Sequence, residues 1–307
     1  MKQYHKKLQG IVLLAALLSA GLAGCGLSGQ EGNGGSDQNG KAGMETEEKG
    51  LSGAAGTEEK PVRERKITEG TDYGSIDNTL YSWWFRRNDK HEPSGCQEDF
   101  DITEYRAYYT VPVGEKKMYL TFDCGYENGF TADILDVLKD EQVPAAFFVT
   151  QTFIRDNIDL VKRMKQEGHL VCNHTVTHPS MPSKSIEDQR KELLTCETYM
   201  KEATGYEMDL FFRPPKGEYS KRTLQMAKDL GYTTVFWSMA YLDYDVNNQP
   251  TPQHVVEHFR KFHHPGAIPL IHNVSSANHA ALKQVIVELK AEGYTFGTLN
   301  ELPMDPV

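Results

Sequence analysis

His174 and His178 stand four residues apart in the run His-Thr-Val-Thr-His. Two imidazoles at that spacing can meet one divalent ion from a helical turn or a compact loop. No Glu follows the first of them, so the pattern is not the His-Glu-x-x-His of metalloproteases. Asp123 follows the apolar run Met118 to Phe122; a carboxylate at a strand end, beside a cation that keeps it ionised, suits a general base. Arg213 opens Arg-Pro-Pro-Lys-Gly, and its guanidinium fork can hold a carboxylate in fixed geometry. His272 closes the run Ala267 to Ile271 and titrates in the range where a departing amine needs a proton. Cys124, directly after Asp123, reads as a metal ligand, a reactive thiol or a small filler. Each group alone also has a plainer reading: a histidine satisfied by backbone, or an ion pair beside a Pro-Pro turn.

The elements that must position these groups alternate along the chain. Met118 to Phe122, Ala145 to Val149, His169 to Cys172, Leu210 to Phe212, Thr233 to Trp237 and Ala267 to Ile271 are short apolar runs with the composition of buried strands. Thr131 to Asp140, Ile158 to Glu167, Ser185 to Ala203, Ser220 to Leu230 and Ala277 to Ala291 carry helical spacing, and Gly168, Gly205, Gly231 and Gly293 stand where left-handed caps are needed. Such alternation predicts an α/β fold on a parallel sheet, either open and doubly wound or closed as a barrel. The polar clusters fall just past five of the apolar runs: Asp123-Cys124-Gly125, Asn173 to His178, Arg213 to Gly217, Trp237 to Asp245, and His272. In parallel folds that sheet edge is where sites are built. Five clusters converging on it say more than any one of them.

The ends of the chain carry a different message. Lys2, Lys6 and Lys7 precede the apolar Ile11 to Ala20, and Leu22-Ala23-Gly24-Cys25 follows. The pattern is that of an exported leader ending in a box that resembles the lipobox of bacterial lipoproteins, with Cys25 the lipidated residue. Residues 26–70, rich in Gly, Ser, Gln, Asn and Glu, read as a disordered tether. Residues 71–117, with Leu80-Tyr81-Ser82-Trp83-Trp84-Phe85, read as a lead-in that packs on the domain at 118–307. No later run approaches the ~18 apolar residues of a spanning helix, so the chain is expected outside the cytoplasm, on the outer face of the membrane and held there by lipid. Acidic residues number 43 against 33 basic ones, a net charge of −10. That balance argues against nucleic acid or an anionic lipid surface as the main partner. With Cys25 lipidated, Cys96, Cys124, Cys172 and Cys196 remain, an even count that permits disulfides without requiring them.

Thr121-Phe122-Asp123-x-Gly125, His174-Thr-x-x-His178, Arg213-Pro-Pro-x-Gly217 and Leu270-x-His272 resemble, in order, the motifs of the polysaccharide deacetylases, the NodB-homology or carbohydrate esterase family 4 enzymes. Asp123-x-Gly-Tyr-Glu-Asn-Gly129, Phe236-Trp-Ser238, Leu242-Asp243 and His264-Pro-Gly266 look like the sporulation branch that deacetylates N-acetylmuramic acid on the way to muramic δ-lactam. The resemblance covers Met118 to about Leu302 and implies a distorted barrel of seven or eight β/α units. By the same resemblance His174 and His178 hold a divalent ion, commonly zinc; Asp123 takes a proton from water; Arg213 holds Asp123; His272 protonates the sugar amine. An oxyanion would rest on the ion and on a backbone N–H at Lys216-Gly217, while Lys216, Tyr126 and Trp237 face substrate. The implied partner is the glycan strand of peptidoglycan.

Two departures from the family pattern stand out. The usual motif is Thr-Phe-Asp-Asp-Gly with its second Asp a third metal ligand, a place held here by Cys124. A thiolate can ligate zinc beside two His; Cys124 can equally be a small neutral replacement, or half of a disulfide with Cys172. The usual Asp-x-x-Asp-Trp is here Ala240-Tyr-Leu-Asp243-Tyr244, which leaves the acidic support of His272 in question and Asp243 as a brace or a substrate contact. Rival readings are a deacetylase for another N-acetylated glycan and a carbohydrate-binding lipoprotein whose metal site has decayed.

Overall fold

The computed structural model describes residues 65–96 and 99–303. The leader, Cys25 and nearly all of the tether lie outside them. Seven strands form one sheet: β1 (Ala107–Tyr108), β2 (Leu120–Cys124), β3 (Ala145–Val149), β4 (Leu170–Asn173), β5 (Asp209–Phe212), β6 (Thr233–Val235) and β7 (Leu270–His272). Their order is β7-β2-β3-β4-β5-β6-β1, and every pairing is parallel. The sheet curls until its two ends approach through single bridges, Met239 to Pro269 and Thr110 to Ala267. No continuous ladder joins β1 to β7. This is the distorted barrel that the family resemblance implied, incompletely closed; the alternation alone had left an open sheet equally possible.

Seven helices flank it: α1 (Thr131–Asp140), α2 (Gln151–Asp156), α3 (Ile158–Gln166), α4 (Ile186–Thr204), α5 (Lys221–Asp229), α6 (Pro252–Phe262) and α7 (Ser276–Ala291). Gly168, Gly205, Gly231 and Gly293 all take the left-handed φ read from their positions. Sequence reading missed α2 and α6. The signal for α6 was present: Thr251 caps the His254 N–H and Pro252 opens the first turn.

Strand alternation sorts the core into two faces. Leu120, Phe122 and Cys124 pack with Ala145, Phe147, Val149 and helix residues such as Leu135 and Ile286. Ala146, Phe148, Cys172, Phe211 and Val235 form a second cluster, so the even and odd positions of one strand serve different layers. Thr121 and Asp123, alternating with the first set, meet Arg213 instead.

Two expected boundaries shift. β1 comes from the lead-in, so the central sheet begins before position 118. Ordered contacts also begin before residue 70. Arg65 pairs with Glu197 and donates from Nε to the Leu230 carbonyl (3.0 Å), and the Thr68 N–H donates to the Asp229 carbonyl (2.8 Å). Trp83 stacks on Phe236 (4.4 Å between rings), donates from its indole to the Trp237 carbonyl, and through its N–H reaches Gly217. The aromatic lead-in therefore buttresses the segments that carry two of the site clusters.

Candidate active site

A cavity of about 570 Å³ opens at the C-terminal edge of the sheet, where Asp123, Tyr126, His174, His178, Lys216, Gly217, Trp237 and His272 come together. Those are eight of the residues singled out from sequence. Gly125, Pro214, Tyr244, Leu270, Asn273 and Val274 complete the wall.

Asp123 is the next-to-last residue of β2 and is 7% exposed. Arg213, fully buried behind it, donates from Nη1 to Oδ1 (2.7 Å), from Nη2 to the Thr121 hydroxyl (2.9 Å) and from Nε to the Val235 carbonyl (3.0 Å). The guanidinium also lies over the Phe148 ring at 4.1 Å. A fork fixed at three points presents a fixed charge. Burial alone would raise the Asp123 carboxyl, but Arg213, His174 and His272 more than offset it and hold the carboxyl below its usual value. Asp123 is therefore ionised at neutral pH, with Oδ2 left to the cavity.

The His174–His178 segment is a compact loop and not a helical turn. Thr175 and His178 take left-handed backbone conformations (φ 72° and 55°), which cost L-residues energy unless their surroundings over-determine them. Here they do. Glu192 of α4 accepts the Val176 and Thr177 N–H groups (2.9 and 2.8 Å), Asn173 accepts the Thr175 N–H, and the Thr175 hydroxyl accepts the His178 N–H.

His174 Nδ1 lies 2.8 Å from the Arg213 carbonyl. A carbonyl oxygen only accepts, so Nδ1 carries the hydrogen and Nε2 the lone pair. Burial pushes His174 down to about 4 and also lowers His178, so both rings are neutral near pH 7. His174 Nε2 then faces Asp123 Oδ2 at 3.6 Å with no hydrogen available between two acceptors, an arrangement that a cation resolves. The His178 ring stands 4.8 Å away. The pair fits a divalent ion with water or substrate completing its shell.

Cys124 does not join them, which corrects its reading as a ligand. No group of three or more His, Cys, Asp or Glu side chains able to hold a metal occurs among the described residues. The strand turns Cys124 to the opposite face from Asp123, into the apolar cluster, where it is 0% exposed. Burial, with Asp123 and Glu127 adding to it, pushes its thiol well up, away from the thiolate that metals and nucleophilic chemistry need. It is a free thiol, in a different cluster from Cys172, so the disulfide reading falls as well. The small-filler reading stands.

His272 is the counterpart across the cavity. Asp243, 0% exposed, accepts from His272 Nδ1 (2.7 Å) and from the His272 N–H (2.8 Å). Burial would lower His272, but Asp243, helped by Asp123, raises it above its usual value. Nε2 is left to the cavity. The acidic support questioned from sequence is thus supplied chiefly by Asp243, which lies buried behind His272 as a brace. At the Arg-Pro-Pro-Lys-Gly turn, Lys216 is held at φ 60° and Gly217 at φ 66°. A side chain on Gly217 would meet Trp237 at 2.9 Å and Trp83 at 3.1 Å, so only glycine fits. The Gly217 N–H is taken by the Pro214 carbonyl (3.1 Å). Of the two oxyanion donors expected at this turn, the Lys216 N–H is therefore the candidate.

An ionised carboxylate, two neutral imidazoles and a third imidazole that holds its proton more firmly than usual, around one cavity, are the parts of an amide hydrolase. Comparison with known proteins agrees. Residues 110–235 match the polysaccharide deacetylase family, and over 230 residues the chain is 42% identical to the peptidoglycan-N-acetylmuramic acid deacetylase PdaA of Bacillus subtilis strain 168, covering 74% of this chain and 88% of PdaA. The chain belongs to the polysaccharide deacetylases. The solved structure of B. subtilis PdaA, a family 4 carbohydrate esterase, matches with a TM-score of 0.72 at 41% identity, over 74% of this chain and 98% of that one. A peptidoglycan-N-acetylglucosamine deacetylase of Bacillus cereus is 34% identical over 209 residues, 67% of this chain and 96% of that protein. Polysaccharide deacetylases are metal-dependent hydrolases of amide bonds, and His174 and His178 are the candidate ligands in this chain.

Proposed function

We propose that this polysaccharide deacetylase removes the acetyl group from N-acetylmuramic acid residues of peptidoglycan. The reaction is carried by the cavity, where Asp123 Oδ2 lies 3.6 Å from His174 Nε2 and where His178 and His272 line the same space. The choice of sugar is favoured by the likeness to nearly the whole of PdaA and by Lys216. That residue is exposed, lines the cavity and makes no hydrogen bond or ion pair among the described residues. Muramic acid differs from glucosamine by a lactyl carboxylate, and an unpaired ammonium in the cleft is a counter-charge for it.

A divalent ion such as zinc would be held by His174 and His178 and would supply Lewis-acid polarisation and a more acidic water. Asp123 Oδ2 takes the proton from the attacking water in the cavity as the water oxygen bonds to the acetyl carbonyl carbon. Arg213 keeps Oδ1 engaged, so the carboxylate does not turn. The Lys216 N–H donates to the developing oxyanion. His272 Nε2 gives its proton to the sugar nitrogen as the carbon–nitrogen bond breaks, leaving acetate and a free amine. Tyr126 and Trp237 line the walls against which the sugar lies.

Peptide-free glycan strands incubated with the zinc-loaded protein, then digested and weighed by mass spectrometry, test this. Loss of acetyl from muramic acid is the expected result. Loss from glucosamine alone replaces the substrate, and no acetate with either zinc or cobalt present moves the carbohydrate-binding reading ahead. We also propose lipidation at Cys25 and residence outside the cytoplasm, on peptidoglycan of the spore cortex. Release of the protein from membranes in a Cys25→Ala variant, and loss of cortex muramic δ-lactam in a deletion strain, are the outcomes that support this.

A further inference from the structure

Asp243 accepts a third hydrogen bond, and it comes from outside the motifs. Asn278, 3% exposed on the first turn of α7, donates from Nδ2 to Asp243 Oδ2 at 2.7 Å and lies 3.2 Å from the His272 carbonyl. Its Oδ1 is 2.6 Å from the Tyr241 hydroxyl. A carboxylate only accepts, so the amide nitrogen faces Asp243 and the oxygen faces Tyr241, whose hydroxyl donates. Tyr241 is itself locked by rings from α6, with His258 at 4.7 Å and Phe259 at 6.4 Å. The same turn of α7 grips the loop a second time. Ser275 caps the Asn278 N–H (3.1 Å) and bonds Gln249, and Gln249 donates to the Asp243 carbonyl (2.8 Å).

We propose that Asn278 is a positioning residue for the deacetylation: oriented by Tyr241, it fixes the Asp243 carboxylate and through it the His272 ring. The physical need is specific. Asp243 Oδ1 is held by the very imidazole it must steer, and Oδ2 otherwise only by the His272 N–H. Both of those bonds come from one residue, so they cannot by themselves set the carboxylate's plane relative to the rest of the site. Asn278 adds a reference point on a different element, the rigid start of a long helix. Without it the carboxylate pivots, its bond to Nδ1 lengthens, and Nε2 leaves the line to the leaving nitrogen.

Asn278→Leu, of similar volume and without hydrogen bonds, tests the idea in the full chain. The groups that act on His272 are Asp243, Asp123, Arg213 and His178, with the Tyr244 ring against it; of these the variant reaches only Asp243, by removing one hydrogen bond to its Oδ2. The expected result is a fall of about tenfold in kcat with KM little changed, and an alkaline limb of the kcat–pH profile displaced to lower pH because His272 holds its proton less firmly. Tyr241→Phe, which frees the amide to turn over, should give a smaller effect in the same direction and stands in if Asn278→Leu does not fold. A profile that superimposes on the wild type after scaling, or a limb that stays or rises, overturns the proposal and leaves Asn278 a purely structural residue.

Discussion

His174 and His272 face one cavity, and each uses Nδ1 to grip a neighbour behind it. One is nevertheless held neutral, with its cavity nitrogen bare, and the other has its affinity for a proton raised above the ordinary value. The difference lies in the neighbour. His174 donates to a neutral carbonyl, which fixes the ring but gives little return for burying a positive charge, so burial dominates and the ring stays neutral. His272 donates to a buried carboxylate, whose full charge outweighs the same burial. A ligand needs a lone pair and an acid needs a proton. The fold supplies both from one residue type by changing the atom in the second layer.

The largest break in that arrangement comes from Asp123→Asn, which removes the carboxylate that lies between the two histidines. Acetate release should fall by about 10²–10⁴ in kcat. Chemical denaturation should show a loss of several kcal/mol, because Arg213 is left buried without its counter-charge. Asp243→Asn sharpens the comparison most directly, because it gives His272 a neutral partner like that of His174. The alkaline limb of the pH–rate profile should move toward acid, and activity above pH 7 should drop by up to about 100-fold. In the wild type the rising limb should follow the two imidazoles proposed to hold the metal, with His178 losing its proton below its ordinary value, and the falling limb should follow His272 above its own.

The two histidines should also pull stability in opposite directions with pH. In the unfolded chain His174 takes a proton near 6.5, which the folded chain refuses down to about 4. Its contribution is therefore intact above 6.5 and falls by ~3 kcal/mol as pH drops through that window. His272, raised on folding, contributes most below 6.5 and loses that contribution as pH rises through its folded value. Urea denaturation from pH 4 to 8, with His174→Gln flattening the acid side, checks the signs. The smallest effect is expected at Cys124. Cys124→Ser should leave zinc content and activity unchanged and cost about 1–2 kcal/mol, the penalty for a hydroxyl in an apolar cluster; a drop in zinc affinity would restore the thiol as a ligand.

How much of this was legible in the sequence varies by element. Asp123, His174, His178, Arg213 and His272 could be found because each sits just past an apolar run, and a parallel sheet gathers such positions at one edge. α6 was signalled by Thr251-Pro252 but passed over, since its apolar stripe is broken by His254 and His258. β1 has two residues and could not be told from the aromatic lead-in around it. Cys124 was left among three alternatives because a motif position says which residue follows Asp123 and not which way its side chain turns. Asn278 left no trace at all. Its partner lies 35 residues earlier, and nothing in the helix pattern of α7 distinguishes an amide that caps a turn from one that steers a carboxylate.

The sequence by itself determined the alternation of strand and helix, the edge where chemistry collects and the residue types available there, because these follow from periodicity and from local turn chemistry. Only the tertiary structure decided the protonation of each histidine, the side of the sheet that Cys124 takes, and the acid that chiefly supports His272. Those depend on burial and on contacts between residues far apart in the chain, and neither is a property of any one segment.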